Sequence, residues 1–201
     1  MAIKNYYISD LHLSHKNIIN FDNRPYFSVE EMNTSLIDNW NNRVHKNDNV
    51  FILGDFCWGK EEEWVEFLNQ LQGVKTLVRG NHDLKQMSST CRRLFADVKD
   101  YKEIYDNGRK VVMCHYPILC YKQSYSPKNY MLFGHVHNRT QESILVEKWI
   151  DDIKANCTEN FHNKGQLFNV GCMMPWMNFA PQTLDEIIEN YNEWKELQIN
   201  E

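Results

Sequence analysis

Apolar residues along this chain change period several times, from runs that fit a strand to spacings that fit a helix and back. Ile3 to Ser9 is rich in aromatic and β-branched residues and ends at Asp10, which predicts a first, central strand running into a functional loop. Ser28 and Glu31 form a capping box, and Val29, Met32, Leu36, Ile37, Trp40 and Val44 recur behind it at helical spacing. A helix is therefore expected from about Ser28 to Val44. Asn49 to Leu53 is a short apolar strand stopped by Gly54-Asp55, and Trp64, Phe67, Leu68 and Leu71 then mark one face of a second helix. Lys75 to Val78 makes a third strand, broken by Arg79-Gly80-Asn81-His82-Asp83 and followed by a polar segment expected to be helical to about Ala96.

The middle of the chain turns antiparallel. Tyr101 to Tyr105 and Lys110 to Cys114 flank Asp106-Asn107-Gly108-Arg109, and Asn-Gly is a strong short-range hairpin signal. Tyr130 to Phe133 reads as a strand ending at Gly134-His135, and Gln166 to Val170 as another. Between them Glu147 to Lys164 is poorly patterned and is expected to be a variable loop or lid. Thr183 with Glu186 opens an amphipathic C-terminal helix through Leu184, Ile187, Ile188, Tyr191 and Trp194. Repeats, low-complexity tracts and linkers are absent, so the 201 residues are expected to form one domain, 1–201.

A composition of 42% hydrophobic and 24% charged residues excludes a disordered chain. With 22 basic against 27 acidic residues the net charge is -5, which argues against a protein that coats or tracks long duplex nucleic acid. The six cysteines carry no Cys-x-x-Cys spacing, so a disulfide framework is not expected and a reducing, cytoplasmic setting fits. No signal-peptide pattern opens the chain and no apolar run is long enough for a membrane span, so no membrane partner is expected.

Most of the eight histidines follow a predicted strand in the company of Asp, Asn and Gly. The strand ends carry Asp10-Leu11-His12, Gly54-Asp55, Gly80-Asn81-His82-Asp83, His115-Tyr116-Pro117 and Gly134-His135-Val136-His137. Side chains at the carboxyl ends of neighbouring strands converge, so these separated clusters can surround one site. Their ordered set resembles the signature of the calcineurin-like metallophosphoesterases over residues 10 to 137. Ser9-Asp10-Leu11-His12, Asn20 to Pro25 and Asn169-Val170-Gly171-Cys172 extend the likeness to a compact bacterial and phage branch.

The resemblance implies an α/β (α+β) four-layer sandwich, two mixed β-sheets flanked by helices. Position by position, it implies Asp10, His12, Asp55 and His137 on one metal and Asp55, Asn81, His115 and His135 on the other, with Asp55 bridging. The chemistry agrees: a carboxylate has two oxygens to share between ions, whereas a neutral imidazole gives one nitrogen to one ion. In extended backbone His135 and His137 lie on one face, and Gly134 permits a tight approach. Nitrogen and oxygen ligands without thiolate fit two divalent transition metal ions, with Mn favoured and Fe, Zn, Co or Ni compatible. His82 is left over in the ligand count, and the resemblance implies it as the general acid; the implied reaction is attack of a metal-bridging hydroxide on a phosphate ester.

Other residues carry two readings. Arg24 and Arg79 can each grip a phosphate bidentately or sit in a salt bridge. His15 and Asn17 are close enough in sequence to His12 to touch a substrate. Asp83 can orient His82, but after a Gly-Asn turn it reads better as a helix N-cap. His45 and His162 read as surface residues, Cys114 as a small buried hydrophobe, and Trp40, Trp64, Phe67, Tyr191 and Trp194 as core. Leu119 to Asn129, Glu147 to Lys164 and Cys172 to Pro181 are expected at the rim. The expected substrate is a small phosphate ester, a phosphodiester or nucleotide. The alternatives are a nuclease of the same superfamily and a metal-binding scaffold without turnover.

Overall fold

The computed structural model describes residues 2–157 and 164–199. Its strands are β1 (Asn5–Ile8), β2 (Asn49–Ile52), β3 (Val74–Val78), β4 (Asp97–Lys99), β5 (Tyr101–Asp106), β6 (Arg109–Cys114), β7 (Asn129–Phe133) and β8 (Leu167–Asn169). Its helices are α1 (Ile18–Phe21), α2 (Val29–Asn41), α3 (Glu61–Gln70), α4 (Ser89–Arg92), α5 (Gln141–Ala155) and α6 (Leu184–Ile199). Among the described residues the strands form two four-stranded sheets, ordered β1-β2-β3-β4 and β5-β6-β7-β8. The first is parallel throughout; the second pairs β5 with β6 antiparallel and then continues parallel. Asn107 and Gly108, at φ 49° and 77°, make the hairpin turn that Asn-Gly predicts.

Alternation along each strand sorts the core into layers. Ile8, Val50, Ile52 and Leu77 face α2 and α3, where they meet Leu36, Trp40, Trp64 and Leu68. Tyr7, Phe51, Leu53 and Val78 face the other way and meet Val111, Met113, Leu132 and Phe168 of the second sheet. The outer face of that sheet, through Val112, Met131 and Phe133, packs on Val146 and Ile150 of α5. Ser28 caps α2, its hydroxyl accepting from Glu31 N at 3.1 Å, and Thr183 with Glu186 caps α6.

Several expectations change. Strand β1 is outermost in its sheet, not central, with β2 as its strand partner; just beyond it the chain bonds instead to the segment after β8, where Ser9 N donates to Val170 O at 2.8 Å and Cys172 N to Ser9 O at 2.8 Å. These bonds tie the two sheets together beside Asp10. The first half of the expected lid at Glu147 to Lys164 continues helix α5, whose Val146 and Ile150 are buried against the second sheet; residues 158–163, His162 among them, lie outside the described residues. The polar stretch to Ala96 contains only one helical turn, α4, and then the short strand β4, which sequence periodicity misses. Cys172 to Pro181 is core instead of rim, since Cys172, Met174, Trp176 and Met177 are buried. Within Leu119 to Asn129, Tyr121 is buried and its hydroxyl donates to Asn129 O at 3.0 Å.

Candidate metal centre

Parallel strands place their carboxyl ends on one side, and the five polar clusters follow β1, β2, β3, β6 and β7 there. The backbone at these ends is unusual. Asp10, His12, Asp55 and His135 have φ of 54°, 50°, 51° and 66°, a left-handed conformation that non-glycine residues adopt only when neighbours enforce it. Such turns need close approach. A Cβ on Gly134 would collide with Ser9 Oγ and Asp10 Oδ2, and one on Gly80 would collide with the Asp55 carboxylate. His135 therefore leaves β7 by a left-handed turn and not by extended backbone, so the expected strand-face geometry does not apply. Both imidazoles still reach the site, His135 against His115 with ring centroids 5.1 Å apart and His137 against His12 at 5.2 Å.

Hydrogen bonds fix which nitrogen each ring presents. His115 Nδ1 donates to Leu53 O at 2.7 Å, and His137 Nδ1 donates to Asp22 Oδ1 at 2.7 Å. Their Nε2 lone pairs consequently face acceptors: His115 Nε2 lies 3.0 Å from Asn81 Oδ1 and 3.6 Å from Asp55 Oδ2, and His137 Nε2 lies 3.7 Å from Asp10 Oδ1. His12 Nε2 is 3.6 Å from Asp55 Oδ2 and 3.9 Å from Asp10 Oδ1, and is buried without a hydrogen-bond partner among the described residues. Burial, reinforced by Arg24 and the neighbouring histidines, pushes His12 down to about 2, so it stays neutral with its lone pair available. Burial also raises Asp10. Acceptors converging on acceptors in a buried place are what a bound cation resolves, and the donor set fits a divalent transition metal. Asp10, His12 and His137 form one such group, and Asp10, Asp55 and His115 another.

Two arginines take different places from a phosphate grip. Arg24 is 4% exposed and donates to Leu11 O at 2.8 Å, Asp10 O at 2.9 Å and, through two nitrogens, Asp22 Oδ2 at 3.0 and 2.8 Å. It holds the Asp10 loop and the carboxylate that orients His137. Arg79 is engaged bidentately by Asp100 at 2.8 and 3.0 Å on the surface. Asp83 is not a helix N-cap: the nearest helix, α4, is capped by Ser88. Its buried carboxylate instead accepts from Gly80 N, Phe56 N and Asp55 N at 2.8, 2.9 and 3.1 Å, which fixes the Asp55 turn. Against that, burial raises its pKa to about 6.

His82 is exposed at the mouth, its backbone N–H donating to Asp55 Oδ1 at 3.0 Å and its ring 6.0 Å from that of His12. His15 and Asn17 line the same recess. Burial lowers His15. His45 is exposed and Cys114 half-buried, away from it. Sequence reasoning missed Asp22, although it stands two residues before Arg24, and the recess walls Phe21, Trp58, Thr140 and Glu142. Trp58 follows Asp55 by three positions in a loop with no periodicity, and that position was its one available signal.

Comparison with known proteins places this geometry. An uncharacterized protein of Methanocaldococcus jannaschii is 38% identical over 136 residues, 67% of this chain and 69% of that protein. The Gene 66 protein of Mycobacterium phage L5 is 36% identical over 81 residues, covering 39% of each. A solved structure of a protein of unknown function from Aquifex aeolicus superposes with a TM-score of 0.64 at 22% identity, covering 94% of this chain and 99% of that one, which supports the fold. The calcineurin-like phosphoesterase superfamily domain matches residues 3–183. That span includes both sheets and every converging ligand, and it carries the reaction class, metal-dependent hydrolysis of a phosphoric ester: the chain belongs to the calcineurin-like phosphoesterase superfamily.

Proposed function

We propose that the chain holds two divalent ions, one on Asp10, His12, Asp55 and His137 and one on Asp55, Asn81, His115 and His135, and hydrolyses a small phosphodiester or nucleotide. One observation carries the dinuclear reading. Asp55 Oδ2 lies 3.6 Å from His12 Nε2 and 3.6 Å from His115 Nε2, midway between imidazoles assigned to different ions. Ions bound there would lower the pKa of water, hold phosphoryl oxygens and offset charge developing in the transition state. The chain's own residues do the rest. Asp22 and the Leu53 carbonyl hold the His137 and His115 rings in the ligating tautomer. His82, at the mouth and fixed through its backbone to Asp55, delivers a proton to the departing oxygen.

Mn is the favoured ion, with Fe, Zn, Co or Ni suited to the same donors. A reducing, cytoplasmic setting belongs to the reading, since Cys57, Cys91, Cys114, Cys120 and Cys172 are thiols; no helix among the described residues is long and apolar enough to cross a membrane. Long duplex is a poor substrate for a chain of net charge -5. Elemental analysis of the dialysed protein tests the metal count, with two ions per chain expected and both bound more weakly in Asp55→Ala. A Mn-loaded panel of p-nitrophenyl phosphate, its bis-ester, cyclic nucleotides and oligonucleotides tests the substrate. Two tightly held ions in Asp55→Ala overturn the bridging role. A duplex cut with higher kcat/KM than any small ester overturns the substrate reading.

A further inference from the structure

The recess beside the proposed ligands has a volume of about 530 Å³, within the range of small-molecule sites. It is polar where His12, His135 and His137 line it, with His82 at its mouth, and aromatic on one side. His15 stacks on Trp58 with ring centroids 4.1 Å apart and planes 9° from parallel. Phe21 stands edge-on to His15, at 6.3 Å and 71°. Trp58 remains 49% exposed and Phe21 73% exposed, whereas Trp40 and Trp64 are fully buried. Exposed aromatic area of this size, next to reacting groups, costs solvation free energy unless a ligand covers it. His15 Nδ1 adds a polar requirement: it is buried without a hydrogen-bond partner among the described residues. Asn17 and Glu142 supply an amide and a carboxylate on the same recess.

We infer that this wall is a nucleobase subsite, with the exposed surface of Trp58, backed by His15, stacking the base of a nucleoside phosphate whose phosphate lies toward His12 and His82. The inference rests on the phosphoesterase reading and narrows its substrate class. An alkyl group is served by apolar contact from several sides. A flat platform with hydrogen-bonding groups at its margin suits a planar ring with polar edges. The placement agrees, since the Trp58 ring centroid is 4.7 Å from that of His82 and 6.4 Å from that of His12, so a base on Trp58 stands directly beside the proposed phosphate position.

The test compares two non-hydrolysable probes on the metal-loaded full chain by calorimetry, the methylene phosphonate analogues of adenosine 5′-monophosphate and of ribose 5-phosphate. Stacking on one aromatic platform is expected to make the adenosine analogue bind about tenfold to a hundredfold more tightly. Trp58→Ala should remove that difference while leaving the ribose analogue unchanged, and Trp58→Phe should keep most of it. Equal binding of both probes, or an equal loss for both in Trp58→Ala, overturns the subsite. Selective binding by a protein that cleaves no ester in the substrate panel would leave the subsite standing and sink the phosphoesterase reading. Cleavage with no preference for the adenosine probe does the reverse.

Discussion

Arg24→Lys separates the structural account of Arg24 from a role in gripping phosphate. The guanidinium makes four donor contacts at 2.8 to 3.0 Å, two to backbone carbonyls of the Asp10 loop and two to Asp22. A lysine ammonium is a point donor that cannot fork, so it can satisfy Asp22 and at best one carbonyl. The loss is one side of a bidentate charge-assisted pair plus a buried carbonyl left unsatisfied, together about 3 kcal/mol. Arg24→Met is a worse probe, because it removes the cation from the buried Asp22 carboxylate and leaves it only the His137 hydrogen bond, at about 3 to 5 kcal/mol, a large part of the stability of a small domain. Since Asp22 orients His137 and the Asp10 carbonyl anchors the ligand turn, metal affinity in Arg24→Lys should also fall about 10- to 100-fold. Urea unfolding of the chelated protein measures the first effect and metal titration the second. Stability within about 0.5 kcal/mol of wild type, the scatter of a surface substitution, would refute the reasoning. Unchanged metal affinity with a raised KM would return Arg24 to the substrate.

His82→Ala should retain both ions and lose about 10² to 10⁴ in rate for alkyl esters but much less for nitrophenyl esters, whose leaving group departs unprotonated; equal losses would place His82 in phosphate binding. Asp83 titrates near 6 in the folded chain against an ordinary value of 3.8, so the folded state binds its proton more tightly. In the chelated protein its contribution therefore favours folding increasingly as pH falls from about 6 to about 4, by about 3 kcal/mol in total. Asp83→Asn should abolish that trend in denaturation measured across this range, and a wild-type-to-variant difference independent of pH would count against it.

Strands and helices whose side chains alternate or recur on one face were legible in the sequence. Tyr7 and Ile8, Val50 and Phe51, or Met131 and Leu132 each send one member to each side of a sheet, and hydrophobicity records that. The ligand clusters were legible because polar residues directly after such strands have few structural reasons to gather. What could not be read was set by tertiary contact. Arg24 and Arg79 carry identical chemistry, yet one is enclosed by Asp22 and two carbonyls and the other lies against Asp100 on the surface. Strand β4 is only three residues long, too short for a period, and exists because Arg79 N and β3 pair with it. Cys172 to Pro181 lacks regular spacing but contributes methionines and Trp176, which fill the irregular volume between the sheets and α6.

The left-handed residues show how fold and site depend on each other. Each non-glycine residue at φ near 50° to 66° costs about 1 kcal/mol or more and persists only where surrounding bonds over-determine it. Those bonds are present at each turn. His135 N donates to the Asp10 carboxylate, Asp55 N to Asp83, Asp10 N to Gly54 O and His12 N to Asp55 O, so each strained ligand turn is braced by another strand's turn. The bracing runs from turn to turn, which couples the ligand set: Asp10 and Asp83 cannot swing toward solvent without releasing the His135 and Asp55 turns. In the absence of a cation the same arrangement holds lone pairs against carboxylates, so strain and electrostatic repulsion both act against the core that supports them. Metal binding removes the second of these opposing terms. It should therefore add to folding stability by its own affinity, which explains why ligand turns so unfavourable in isolation can be kept at the ends of otherwise ordinary strands.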